Sequence, residues 1–122
     1  MPLVVHGIPN CNTVKKARTW LEERGLAYTF HDYKKQGVPE SALDGWLAQH
    51  GWEALVNRAG TTWRQLDDAT KAGVTDAASA RALMLAKPSV IKRPVVAWGA
   101  ARGDRVTIGF QPEQFDAATT HA

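Results

Sequence analysis

The chain has almost no cysteine, no long apolar run and no large excess of one charge, and each shortage removes a class of protein. A single cysteine, Cys11, stands in 122 residues. One thiol can neither close an internal disulfide nor supply a tetrahedral thiolate metal site, so redox chemistry at Cys11 needs a second thiol from another molecule. Apolar runs are only a few residues long, far below the roughly 20 that span a bilayer, and no membrane segment is expected. The first residues also lack a charged stretch followed by an apolar one of the signal-peptide kind, so the expected location is cytoplasmic, where a thiol stays reduced. Lys and Arg total 15 against 12 Asp and Glu, and the basic residues come as scattered pairs such as Lys15-Lys16, Lys34-Lys35 and Lys92-Arg93. A balance of that size and spread does not point to nucleic acid and leaves room only for a local anion pocket. Neither internal repeats nor low-complexity segments occur.

What is present suffices for one core. With 122 residues and 44% apolar content, the chain is expected to form a single domain over 1–122 and to be a monomer. Leu3 to His6 is a β-branched run closed by Gly7 and Pro9, which predicts a buried first strand. From Asn12, the apolar residues Val14, Ala17 and Leu21 fall at helical spacing with Trp20 beside them, and Gly25 stands where a helix stops. Asn10 or Asn12 is the expected N-cap. Ala27 to His31 predicts a second strand, parallel to the first across this helix.

The middle of the chain, about 39–87, predicts a helical insert. Pro39 suits a first helical position, and Leu43, Trp46, Leu47 and His50 then mark one face before Gly51. Trp52 to Val56 continues as a short helical piece. Thr62-Trp63-Arg64-Gln65 fits a capping box opening a helix to about Asp68, and Thr75 or Asp76 caps another over Ala77–Lys87, ended by Pro88. In the last third, Pro94 to Trp98 and Arg105 to Gly109 flank a polar turn and predict a β-hairpin, followed by a short helix from Pro112 and a frayed tail. The order is β-α-β, insert, β-β-α.

Cys11 therefore falls at the start of a helix, where unpaired N–H groups and the helix dipole favour a thiolate, and Lys15 and Lys16 add positive charge nearby. The alternative is a small buried apolar side chain. Arg93-Pro94 precedes an apolar strand. A cis bond there would leave adjacent backbone groups free to pair with an extended thiol substrate, the alternative being an ordinary strand-opening proline. His6 ends the first strand near Cys11 and reads either as a base or as a packed strand residue. His31 and His50 show no paired ligand spacing, and no metal is expected. Trp46, Trp52, Trp63 and Trp98 are too spread for a stacking platform and are expected to fill core. Arg64 reads equally as a carboxylate-binding arginine or as a solvated one.

The blocks Gly7 to Ala17, Trp52 to Asn57, Gly60 to Arg64, Thr75 to Ala80 and Ile91 to Pro94, taken in this β-α-β, insert, β-β-α order, resemble the arsenate reductase (ArsC/Spx) family of thioredoxin-like proteins. Within it they are most similar to the YffB-type subgroup. The resemblance covers nearly the whole chain. It implies an α/β, thioredoxin-like mixed four-stranded sheet, Cys11 as nucleophile, Arg93 as the arginine that holds an oxyanion, and Pro94 as the family's cis-proline. Substrate or glutathione contacts are implied at Asn10, Asn12, Thr13, Lys15, Arg58 and Arg64. The implied activity is that of a glutathione-dependent thiol reductase with no permanently bound cofactor, glutathione as co-substrate and glutaredoxin as a further partner. The sequence departs from the arsenate reductases of this type at Gly7 (histidine there), Val14 (serine), Asn57 (arginine) and near Gly109 (arginine). Two alternatives follow from the same resemblance: a true arsenate reductase, or an Spx-like regulator that binds RNA polymerase. Val14, three residues after Cys11, leaves no C-x-x-C switch for the latter.

Overall fold

The computed structural model describes residues 3–120, and the chain forms two compact units. The first takes the residues up to Gln36 and those from Arg93 onward, and the second is Gly37–Lys92.

The first unit is built on four strands, β1 (Leu3–Gly7), β2 (Tyr28–Asp32), β3 (Val95–Ala97) and β4 (Val106–Ile108), in the order β2-β1-β3-β4. β1 runs parallel to β2, with Gly7 opposite Asp32, and antiparallel to β3, with His6 opposite Val95. β3 and β4 form the antiparallel hairpin. Parallel neighbours require a crossover connection, and α1 (Asn12–Glu23) supplies it. This is the mixed thioredoxin-like sheet that the family resemblance implies.

One face of the sheet buries the apolar stripe of α1. Ala17 and Leu21 are fully buried and Trp20 nearly so, packed with Leu3, Val5, Val96, Trp98 and, from α8 (Pro112–Thr120), Phe115 and Ala118. The Phe115 ring stands edge-on to Trp20, Trp98 and Phe110 at 5.3, 5.0 and 5.0 Å, the arrangement that aromatic quadrupoles favour. Trp98 meets the need of a buried indole by donating Nε1–H to Thr107 Oγ1 at 2.9 Å. Outside the core, the Arg18 guanidinium lies 4.2 Å from the Phe30 ring centre and donates to the Tyr28 hydroxyl, tying α1 to β2.

The second unit carries α3 (Glu40–His50), α4 (Trp52–Leu55), α5 (Thr61–Arg64), α6 (Asp68–Ala72), α7 (Ala77–Ala86) and a 3-10 turn over Pro88–Val90. Asp76 caps α7 by accepting from Ser79 N–H at 2.9 Å, with Ser79 reaching back in a capping box. Asn57 organises the loop before α5: its N–H donates to Val90 O at 2.7 Å, and its side chain fills the space a Cβ at Gly60 would need, 2.8 Å away.

Several expectations are corrected. Cys11, rather than Asn10 or Asn12, is the N-cap of α1, and its side chain makes no capping hydrogen bond. Pro39 is the N-cap of α3 instead of its first residue. The Thr62–Gln65 capping box does not form: Gly60 caps a single turn, and a separate α6 begins after Asp67, whose carboxylate accepts from Thr70 N–H. Tyr33–Gln36, between the second strand and the insert, makes one helical turn, α2. Trp46 and Trp98 are buried as expected, whereas Trp52 and Trp63 are only half-buried because they flank Arg58, at 5.4 and 5.8 Å from its guanidinium. The tail beyond Thr120 lies outside the described residues.

Gly7 closes β1 directly against α1: a Cβ on it would stand 2.8 Å from Val14 Cγ2. Valine is stiff at χ1 in a helix and Val14 is fully buried, so the contact cannot relax cheaply. Gly7→Ala is expected to destabilise by about 1–3 kcal/mol through overpacking. Adding Val14→Ala should cost less in that background than in the wild type, a coupling that denaturant melts of the double-mutant cycle measure.

Candidate active site

Three stretches of the first unit meet at one end of its sheet. The loop bearing Cys11 leaves β1 after Gly7, Tyr33 follows the last residue of β2, and Arg93-Pro94 leads into β3 at Val95, opposite His6. The carboxyl ends of parallel strands are where open α/β sheets place ligands. The Arg93–Pro94 peptide is cis, and Pro94 O accepts from Gly109 N–H at 2.8 Å. Gly109 holds that bond at φ +81, a left-handed conformation that glycine adopts and arginine does not adopt readily.

At Cys11 two effects oppose each other. Burial pushes the thiol up. Against it act the backbone N–H of Val14, a hydrogen bond from the Arg93 side chain, the N–H of Thr13 and the charge of Arg93, and together they hold the thiol below its ordinary value. The helix start and the guanidinium therefore act on one sulfur, half-exposed and accessible to a small molecule.

His6 is buried beneath this corner and places Nδ1 2.9 Å from Val95 O. A carbonyl only accepts, so Nδ1 carries the proton. Burial holds the ring down at about 4; the Val95 bond works upward and the neighbouring His31 works downward. His6 is thus a neutral, packed strand residue with its ring 5.2 Å from His31 and 6.5 Å from Tyr33. Tyr33 itself is buried, and its hydroxyl has no hydrogen-bond partner among the described residues. Burial pushes the phenol well up, partly offset by the charge of Arg93.

Of the residues predicted for the site, the structure groups Cys11, Thr13 through its N–H, Arg93 and Pro94. Asn10 and Asn12 are exposed beside the thiol. Lys15 and Lys16 were expected to act on Cys11; they are exposed on α1, where both line a groove with Thr19, Trp20, Glu23 and Phe110, and the charge acting on the sulfur is that of Arg93. Arg58 and Arg64 belong to the second unit, Arg58 against its two tryptophans and Arg64 exposed on α5. Tyr33 was missed. The signal available for it was its place directly after the second strand, at the end of the sheet where the Cys11 loop begins. Among the described residues no group of three or more His, Cys, Asp or Glu is placed to hold a metal ion, and no helix is long and apolar enough to cross a membrane.

Comparison with known proteins agrees with the fold. The model of the ArsC family matches residues 6–118. A protein of Haemophilus influenzae described as uncharacterised is 36% identical over 116 residues, covering 95% of this chain and 97% of its own. A solved structure named as a YffB protein is 52% identical with a TM-score of 0.87, covering 95% and 97% of the two chains. A Brucella melitensis protein, named as related to arsenate reductase (ArsC), is 50% identical with a TM-score of 0.70, covering 96% of this chain and 93% of its own.

Two measurements check the electrostatics. The rate of Cys11 alkylation against pH should reach half its plateau below the pH found for an unstructured cysteine, and Arg93→Met should move that midpoint upward. For His6, the unfolded ring titrates near 6.5 and the folded one at about 4. The unfolded chain thus takes up a proton that the native state refuses, so stability falls as pH drops from about 6.5 to 4, by up to roughly 3 kcal/mol, and this contribution levels off below. Denaturant melts across that window should show the slope, and His6→Gln should remove its share.

Proposed function

The chain belongs to the ArsC family, and on that premise we propose that it is a glutathione-dependent thiol reductase with Cys11 as its nucleophile. Family membership and the likeness to a protein named as related to arsenate reductase support a thiol-reductase role. The observation that carries the reading is the convergence of Arg93 and the first N–H groups of α1 on the one thiol. A thiolate so held attacks an oxidised sulfur to give a mixed disulfide between Cys11 and the substrate. With one cysteine in the chain, the resolving thiol is external: glutathione, or a glutaredoxin acting on the glutathionylated protein. Arg93 supplies charge-assisted bonds to an anionic group of the bound substrate, and Lys15 and the exposed Asn10 and Asn12 are assigned to its periphery. The cytosol, where glutathione is reduced, is the compartment this chemistry requires.

Arsenate is not the substrate we assign, because Gly7 and Val14 fill each other's space and Asn57 is engaged with its own loop. In incubation with oxidised glutathione, intact-protein mass spectrometry should show one glutathionyl group on Cys11. The adduct should be absent in Cys11→Ser and removed by added glutathione. A Cys11 that forms the adduct no faster than an unstructured cysteine peptide would overturn the reading.

A further inference from the structure

Tyr33 stands at the active corner with a polar group that the chemistry above does not use. The side chain is 3% exposed, and its hydroxyl is buried without a hydrogen-bond partner among the described residues. Such a hydroxyl costs free energy that a phenylalanine of the same shape would not incur. The ring is fixed, with His6 at 6.5 Å in a stacked arrangement and His31 at 6.1 Å edge-on. Its backbone continues β2 from Asp32, opposite the Gly7 from which the Cys11 loop departs. Val95, two residues after Arg93, pairs with His6 and accepts from its ring, and that ring stacks on Tyr33, so the phenol lies at the end of the sheet where the Arg93-Pro94 turn and the Cys11 loop meet; the charge of Arg93 acts on both the thiol and the phenol.

The kind of donor selects the kind of leaving group. A thiolate leaving a disulfide is diffuse, a weak acceptor, and of moderate basicity, and it departs without strong donors. An oxygen anion leaving a peroxide is a much stronger base and a much better acceptor, and its expulsion gains most from donors already in place. We propose that the Tyr33 hydroxyl, together with the Arg93 guanidinium, binds the oxygen leaving group of a hydroperoxide as the Cys11 thiolate attacks it.

This rests on the reading of Cys11 as a nucleophile and adds a substrate class to it. In the step, Sγ attacks the terminal oxygen of ROOH. An S–O bond forms as the O–O bond breaks, leaving Cys11 as the sulfenic acid and releasing RO⁻, which accepts hydrogen bonds from Tyr33 and Arg93 and takes a proton from water to depart as ROH. Sulfur is oxidised and the peroxide reduced. One glutathione then condenses with the sulfenic acid to a mixed disulfide and water, and a second releases the Cys11 thiol with oxidised glutathione, so that ROOH and two thiols give ROH, water and one disulfide.

The test compares two oxidants on the full chain. Cys11 oxidation by hydrogen peroxide is followed by trapping the sulfenic acid with dimedone, and its reaction with oxidised glutathione by mass, in wild type and Tyr33→Phe, with thermal melts of both. Tyr33→Phe should slow the peroxide reaction roughly tenfold or more, leave the disulfide reaction near the wild-type rate, and keep or raise the melting temperature. A peroxide rate unchanged in Tyr33→Phe, equal slowing with both oxidants, or a marked fall in melting temperature would each overturn the proposal. A wild-type Cys11 that reacts with oxidised glutathione and not with peroxide overturns this inference alone. Reaction with neither overturns the thiol-reductase reading itself.

Discussion

The antiparallel pairing of β3 with the central strand β1, His6 opposite Val95, is the constraint on which the active corner depends. It joins two segments more than eighty residues apart in sequence, so that the residue before β3 stands beside the loop after β1. The pairing is secured on one face by Val5 and Val96 in the common core with Trp98 and Phe115, and at the site by the His6 ring bonding Val95 O. A thiol at residue 11 meets a guanidinium at residue 93 because the strand that ends four residues before Cys11 pairs with the strand that begins two residues after Arg93.

Electrostatics at this corner turn on which groups receive direct hydrogen bonds. Cys11 and Tyr33 are both penalised by burial in their charged forms, and both feel Arg93. Only Cys11 also accepts bonds from backbone N–H groups and from the guanidinium, and these outweigh the burial; Tyr33 has only a neighbouring charge, and burial wins. His6, buried and neutral, adds no competing positive charge that would draw an anion from Arg93. The result is a thiol held below its ordinary value beside a phenol held above its own.

The differences from arsenate-reductase sequences become coherent in this light. Gly7 and Val14 are one coupled change, since a side chain at the first would collide with the second. Gly109 serves the backbone, holding a left-handed turn whose N–H bonds Pro94 O. Asn57 is taken up by Val90 and Gly60 in its own loop. Four positions that in that pattern carry polar side chains are here packing or turn residues.

Much of the architecture was legible in the sequence because it rests on local periodicity: the apolar spacing of α1, the β-branched strands, the Asp76 cap of α7 and the hairpin after Pro94. The one-turn helices α2 and α6 were not, since four or five residues carry too little periodicity to distinguish a turn of helix from a polar loop, and with α2 went Tyr33. Cys11 drew notice because it is the only cysteine, Pro94 because it opens an apolar strand, and Arg93 through the family resemblance. That the charge acting on the sulfur is that of Arg93 is a matter of which strand β1 pairs with. The sequence by itself determined that there is one thiol, at the start of a helix, with no internal partner. Only the tertiary structure decided that a guanidinium from the far half of the chain acts on it, with a buried phenol at the same end of the sheet, because strand pairing between distant segments is set by packing of the whole sheet rather than by any local run of residues.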